Sequence, residues 1–285
     1  MEDVTRYEII IKPNRSWFYI DWRGLLHYRD LLFLLIRRDF VSRYKQTILG
    51  PLWFIIQPLV MTLVFTVVFF RVAKVSTDAL PPVLFYLCGL LIWNYFSSCI
   101  SITSTSLTTN AMLFEKVYFP RIIIPLSTIF SNLITFAIQL LTFLCFYFYY
   151  KWCTASSAQI HPNLFLFALP LLLLQAAAFA LGVGLWLSAL TVKYRDLSFL
   201  MGFLVQLWMY ATPVIYPVSA IPSQWRFILI INPIASIVDL YRYAFFGTLS
   251  LSLKYLTFSI ITTCVVLFSG ILIFNKVERT FIDTV

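Results

Sequence analysis

RRDFVSRYKQTILGPLWFIIQP, residues 37–58, joins a cationic stretch to an apolar one within a few residues. Arg37, Arg38, Arg43 and Lys45 precede Gly50-Pro51, and a long run without charge follows. Positive charge packed against the start of an apolar run fixes the side of a membrane on which that end stays. It also sets a cationic surface at the depth of anionic lipid head groups. The join therefore points to a membrane-embedded chain before any other segment is read.

Composition agrees. Of 285 residues, 61% are hydrophobic and 12% charged, with a mean hydropathy of +0.87. A soluble domain carries about 25% charged residues. The length suits one membrane domain with no large soluble one. The net charge of +9 does not point to nucleic acid, because the basic residues flank apolar runs instead of forming a stripe interleaved with aromatics. Cys88, Cys99, Cys145, Cys153 and Cys264 show no C-x-x-C pair and no metal-ligand spacing. The first thirty residues contain no short apolar core, so the first span is expected to serve as its own insertion signal.

A spanning helix needs about 20 mostly apolar residues. Six segments qualify: 52–72, 82–103, 122–150, 164–191, 198–218 and 255–275. Each must be helical, because lipid offers the backbone no hydrogen-bond partner. The expected fold is an all-α integral membrane protein: a cytoplasmic segment 1–51, a membrane domain 52–275 and a cytoplasmic tail 276–285. With both termini inside, fifteen of the 21 Lys and Arg fall on the cytoplasmic side, which supports that orientation. Residues 22–45 mix apolar positions (Leu31, Leu34, Leu35, Val41) with charges and predict an amphipathic helix in the cytoplasmic interface, with Trp17, Trp22 and Tyr28 at head-group depth. A soluble helix packed on the protein predicts the same pattern.

Residues 212–250 break the count. Pro213, Pro217, Pro222 and Pro233 interrupt them, and Phe227–Ile231 is too short to cross. Two short re-entrant helices dipping in from the outer face are expected, since such backbone is tolerated where protein or a water-filled cavity surrounds it; an ordinary long outer loop is the plainer alternative. Asp239 and Arg242, three apart, can pair on one helix face.

The chain has no G-x-x-x-x-G-K-[ST] and no H-E-x-x-H. His27 and His161 are far apart. No Asp, Glu, Lys or His falls within the six spans, and Arg71 sits only at an outer edge. Ion-coupled carriers and membrane enzymes use such residues, so energy is expected to come from another subunit. A membrane transferase, the rival from another class, would need an acid, histidine or metal cluster at one face. No catalytic or metal site is expected.

Two short charged segments remain on the cytoplasmic side. In one, Asn110 is placed to cap a short helix holding Phe114, Glu115 and Lys116, which Pro120 would end. The other is Lys193-Tyr194-Arg195-Asp196. Both can dock a cytoplasmic motor, or be plain solvated turns. Trp93, Tyr95 and Phe96 in span two, and Gln206, Trp208 and Tyr210 in span five, supply rings and amides that suit a passing glycan. The plainer alternative has them facing lipid. In span four, Ala176, Ala180 and Gly184, with Ala178 and Gly182, form small-residue rows that let helices approach closely.

Arg43-Tyr44-Lys45-x-Thr47-x-Leu49-Gly50-x-x-Trp53-x-x-x-x-Pro58, after a basic amphipathic helix, resembles the start of the ABC-2-type permeases that export O-antigen, capsule or teichoic acid. Six spans, the charged loop before span three and the outer segment around Pro213, Pro217 and Asn232-Pro233 extend the resemblance over nearly the full length. It implies the type V exporter fold and a homodimer in the bacterial cytoplasmic (inner) membrane. It also implies two copies of a separate ATPase that holds ATP and Mg, with no cofactor in this chain. The substrate implied is a lipid-linked glycan on undecaprenyl diphosphate. Further implied are a coupling helix at 108–118, a second ATPase contact at 192–197, and a head-group surface of Arg37, Arg38, Arg43, Tyr44 and Lys45. A lateral gate between spans one and five, and an outer gate containing Pro213, Pro217, Asn232, Asp239 and Arg242, complete the implied machinery. An ABC-2 exporter of drugs or small lipids would share this fold.

Overall fold

The computed structural model describes residues 22–117, 119–153, 160–247 and 254–281. Trp17 lies outside them. All regular structure among the described residues is helical. The chain starts with α1 (Trp22–His27) and α2 (Arg29–Tyr44). At the join, Thr47 Oγ1 bonds the Tyr44 carbonyl, and Gln46 and Gly50 take positive φ. A 3-10 turn at Gly50–Leu52 then leads into α3 (Trp53–Phe65), which finishes as a π-helix over Thr66–Val72. The core helix α4 (Pro82–Thr103) follows, then the short α5 (Ser106–Thr109) and α6 (Ala111–Lys116). Two long helices, α7 (Ile123–Cys153) and α8 (Leu169–Lys193), precede α9 (Leu197–Tyr210). After it come α10 (Arg226–Ile231), α11 (Pro233–Phe246) and α12 (Lys254–Phe281).

Five helical segments are long and apolar enough to cross a membrane: Gly50–Val72, Pro82–Thr103, Ile123–Cys153, Leu164–Lys193 and Tyr255–Glu278. They match five of the six expected spans. The segment expected at 198–218 differs: α9 has 14 residues, about 21 Å at 1.5 Å per residue. Pro213, which has no N–H to extend the helix, and Pro217 fall in the turns that follow it. α12 runs unbroken from Lys254 to Phe281.

α4 is the centre of the bundle. Leu84, Tyr86, Ile92, Phe96 and Ile100 on it are fully enclosed, and it packs on α3, α7, α8 and α11. Around it the outward faces stay apolar: Leu63, Leu171, Phe199, Phe203 and Ile261 are all exposed. Such surface belongs against lipid. Lipid tails are as apolar as these side chains, so close backbone packing and buried polar ties must hold the helices together.

The most extensive contact joins α8 and α12. Gln175 Nε2 donates to Ser259 Oγ at 2.7 Å, and farther along both helices Gly182 meets Leu267 and Gly270. The two helices therefore run parallel. A Cβ on Gly270 would lie 2.5 Å from the Gly182 carbonyl oxygen, and one on Gly182 2.7 Å from Leu267 Cα. The small-residue row of span four thus packs within the chain: Gly182 faces α12, and Gly184 faces Thr103 on α4.

Candidate functional site

The charged end of the bundle is a built module. α2 lies along α7. Leu35 is buried against Phe119, Ile123 and Ile124, and Leu25, Tyr28, Leu31, Leu32, Leu113 and Phe114 pack around them. Leu34, expected on the apolar face, points outward with Leu26 and Phe33. The buried stripe follows Leu31, Leu32 and Leu35 instead, and Phe33 and Leu34 leave two apolar side chains on the free side of α2.

Two of the five proposed head-group residues spend their charge on side-chain partners inside the protein. Arg43 Nη1 donates to Asn132 Oδ1 at 2.7 Å and Nη2 to Ser131 Oγ at 3.5 Å, tying the end of α2 to α7. Burial pulls the Arg43 pKa below the ordinary guanidinium range, yet arginine stays charged in proteins. Arg38 forks onto Asp39 Oδ1 at 2.9 and 2.8 Å, and Asp39 Oδ2 accepts from Ser127 at 3.2 Å. Arg37 and Lys45 are exposed, and Tyr44 is half-buried. Neither Asn132 nor Ser131 was singled out from sequence, although Ser127, Thr128, Ser131 and Asn132 form a polar face at helical spacing within an apolar run.

A cavity of about 210 Å³ opens beside these contacts. Arg38, Asp39, Ser42 and Arg43 line it from α2; Thr105, Thr109 and Asn110 line it from the α4–α6 turn. The structure thus brings residues implied as head-group contacts and a residue implied in coupling to one cleft. Two guanidinium groups against one carboxylate leave it cationic, and hydroxyls surround it. Asn110 does not cap α6. It stands at the N-cap position, but its Oδ1 accepts no α6 N–H; its Nδ2 donates back to the Ser106 carbonyl at 2.9 Å, which turns the amide toward α5. α6 holds Phe114, Glu115 and Lys116, and Lys116 is exposed. α6 ends at Lys116, ahead of Pro120, as Val117 turns extended.

The second charged segment sits at the same end. Thr191 Oγ1 donates to the Ser104 carbonyl at 2.7 Å, and Ser106 and Ser188 hydroxyls meet at 3.1 Å. These ties hold the end of α8 against the start of the α5–α6 turn. Lys193, Tyr194, Arg195 and Asp196 follow, all exposed.

The expected lining aromatics divide. Trp93, Tyr95 and Phe96 are buried in the core. Phe96 stacks on Phe179 at 5.6 Å and meets Trp208 edge-on at 5.2 Å. Large aromatic faces gain most from such packing, so within this chain these rings join helices. Gln206 and Tyr210 are exposed on α9.

At the opposite end, α10 and α11 form a hairpin turning at Asn232-Pro233. Asn232 Oδ1 caps α11 by accepting from the Ile234 N–H at 3.3 Å, and its Nδ2 donates to Thr212 Oγ1 at 2.9 Å. Arg242, 4% exposed, does not fork onto Asp239 as the three-residue spacing predicts. Its guanidinium donates to the carbonyls of Pro213 and Val214 and lies 3.6 Å from the Phe85 ring centroid. Carbonyls left open by the turn after α9 are the better acceptors here, and Asp239 remains in its electrostatic neighbourhood. Ser219 Oγ donates to Asp78 Oδ1 at 2.6 Å, joining this region to the α3–α4 loop. Pro217 stands at the start of that segment, before the 3-10 turn Val218–Ala220.

A bundle of long apolar helices, polar and cationic at one end and proline-rich at the other, defines a polytopic helical membrane protein. The chain belongs to the ABC-2 type transporter family, whose description matches residues 30–246. It is 29% identical over 255 residues to an O-antigen export system permease protein of Klebsiella pneumoniae, covering 89% of this chain and 94% of that one. The corresponding permease of Myxococcus xanthus is 32% identical over 227 residues, covering 79% and 83%. The capsule polysaccharide export inner-membrane protein CtrC of Neisseria meningitidis is 25% identical over 236 residues, covering 79% and 82%.

Proposed function

We propose that this chain is the permease subunit of an exporter that carries a lipid-linked polysaccharide of the O-antigen kind across the bacterial cytoplasmic membrane. The observation that carries this reading is the likeness to O-antigen export permeases over most of the chain. In this reading two copies form the pathway and two copies of a separate ATPase, which hold ATP and Mg, drive it. No covalent chemistry occurs in this chain.

The charged end faces the cytoplasm, as do both termini, and α6 and residues 193–196 meet the ATPase. α9 and the turns after it make the sixth crossing. The parallel run of α8 and α12 supports this, because the intervening chain must return across the same thickness. The α10–α11 hairpin re-enters from the outer face, with its turn at Asn232 directed toward the bundle. Thr212 and Arg242 hold that hairpin to the end of α9, and together they form the outer gate. α3 and α9 make the lateral opening for the lipid-linked end.

The diphosphate meets Arg37 and Lys45 first, then the cleft of Arg38 and Arg43. Guanidinium groups bind phosphate oxygens in pairs, and the hydroxyls of Ser42, Thr105 and Thr109 supply neutral donors. Gln206 and Tyr210 on exposed α9 present an amide and a ring to the glycan. Reconstitution with the ATPase and a labelled undecaprenyl-diphosphate glycan tests the reading. ATP-dependent protection of the label inside vesicles is expected. Transport unchanged after charge reversal at Glu115 and Lys116 together would remove the coupling role from α6.

A further inference from the structure

We propose that Arg121 is a positioning residue that joins the coupling helix α6 to α12, making α12 a rod between the ATPase-facing end and the outer hairpin. The proposal rests on the reading of α6 as the ATPase contact. Arg121 stands at the foot of α7 and is 6% exposed. Its guanidinium carbon lies 5.3 Å from the Phe114 ring centroid on α6. Its Nη1 donates to the Glu278 carbonyl near the end of α12, and its backbone N–H donates to Glu278 Oε1 at 3.4 Å. One side chain therefore touches α6 through a ring and α12 through a main-chain oxygen. Both contacts favour the charged form: a cation over a ring face and a charged donor on a carbonyl.

What α12 meets elsewhere gives the joint its reach. Gly270 and Gly182 bring α12 and α8 into backbone contact, so α12 cannot slide without α8. Beyond that point Ser259 Oγ donates to the Pro233 carbonyl at 3.2 Å, while Gln175 donates to Ser259. Pro233 opens α11 at the hairpin turn. A shift of α6 thus has a continuous packed route through Arg121, α12 and Ser259 to the turn of the outer hairpin. Phe114 is also packed on Phe119 at 5.6 Å, so α6 moves with the α2–α7 module. Arg121 is its tie to the last helix.

The test uses the whole complex in vesicles and reads two rates, ATP hydrolysis and glycan transport. Arg121→Gln is expected to keep ATPase co-purification and hydrolysis while transport per ATP falls at least about fivefold. Arg121→Lys, which keeps the charge but not the fork, is expected to recover part of the loss. A merely structural role would lower both rates together, and that result, or an unchanged ratio, overturns the proposal. A second measurement leaves Arg121 intact. Spin labels at Lys116→Cys and Lys276→Cys in a cysteine-free background are expected to keep one separation with and without trapped nucleotide. A separation that changes when nucleotide is trapped would break the joint. If Lys116→Glu leaves ATPase binding and hydrolysis untouched, the reading of α6 itself falls and the joint with it.

Discussion

Arg43 shows how one side chain carries two meanings. Its position in the basic stretch predicts a surface for anions, and the structure fastens it to Asn132 and Ser131 on α7. Removing a charged donor from a buried acceptor costs about 1.5–3 kcal/mol. Arg43→Ala is therefore expected to lower the thermal stability of the detergent-solubilised chain, while Arg37→Ala, at an exposed position, leaves stability unchanged and slows transport. Equal stability for the two variants would show that the Asn132 contact holds nothing. Arg242 behaves alike at the other end. Arg242→Met strips the Pro213 and Val214 carbonyls of their donor, and a loss of about 2–4 kcal/mol is expected in the same assay.

Among the elements, the long helices were legible because length and hydropathy alone set them: α4 begins and ends where the apolar run does. α9 was misjudged at its outer end. It ends at Tyr210, because Pro213 has no N–H to extend it and keeps the residue before it out of the helical region. α5 was missed because a four-residue helix has no period to show. The polar face at Ser127–Asn132 was visible as spacing, yet nothing in the sequence says that it faces α2. The glycine contact of α8 with α12 is testable at this scale. Gly182→Leu and Gly270→Leu are each expected to destabilise the bundle by about 3 kcal/mol or more, above the usual cost of overpacking, because backbone stands in the way. Gly202→Leu on α9, where a Cβ meets open space, is the control and should be silent in the same melt; matching losses at all three would deny the close approach.

For the whole molecule, the parallel pair α8 and α12 is where the proposed topology can be tested. Cysteines placed at Lys193 and Lys276 are expected to react with an impermeant thiol reagent from the same side of a vesicle, and one at His161 from the opposite side. Reaction of the Lys276 position with the His161 group would leave an odd number of crossings and sink the six-span arrangement. The two ends also differ in what holds them. The cationic end is a separate small core around Leu35 and Phe119, whereas the proline-rich end joins the main core through Tyr241, Phe245 and Phe246 and adds a small cluster of Val218, Leu229 and Ala235. Perturbing the first is expected to alter docking before stability, and perturbing the second to alter both.

The π-helical close of α3 bears on chain length. A π turn holds one more residue than an α turn over the same contacts, so Thr66–Val72 stores a spare residue between two fixed points, the buried Pro58–Phe65 face and the Thr77–Leu80 turn. Loss of one residue here would let α3 close as ordinary α-helix while the elements on either side keep their places. Deleting Val68 should leave export intact, while deleting Ile92 from the enclosed face of α4 should abolish it.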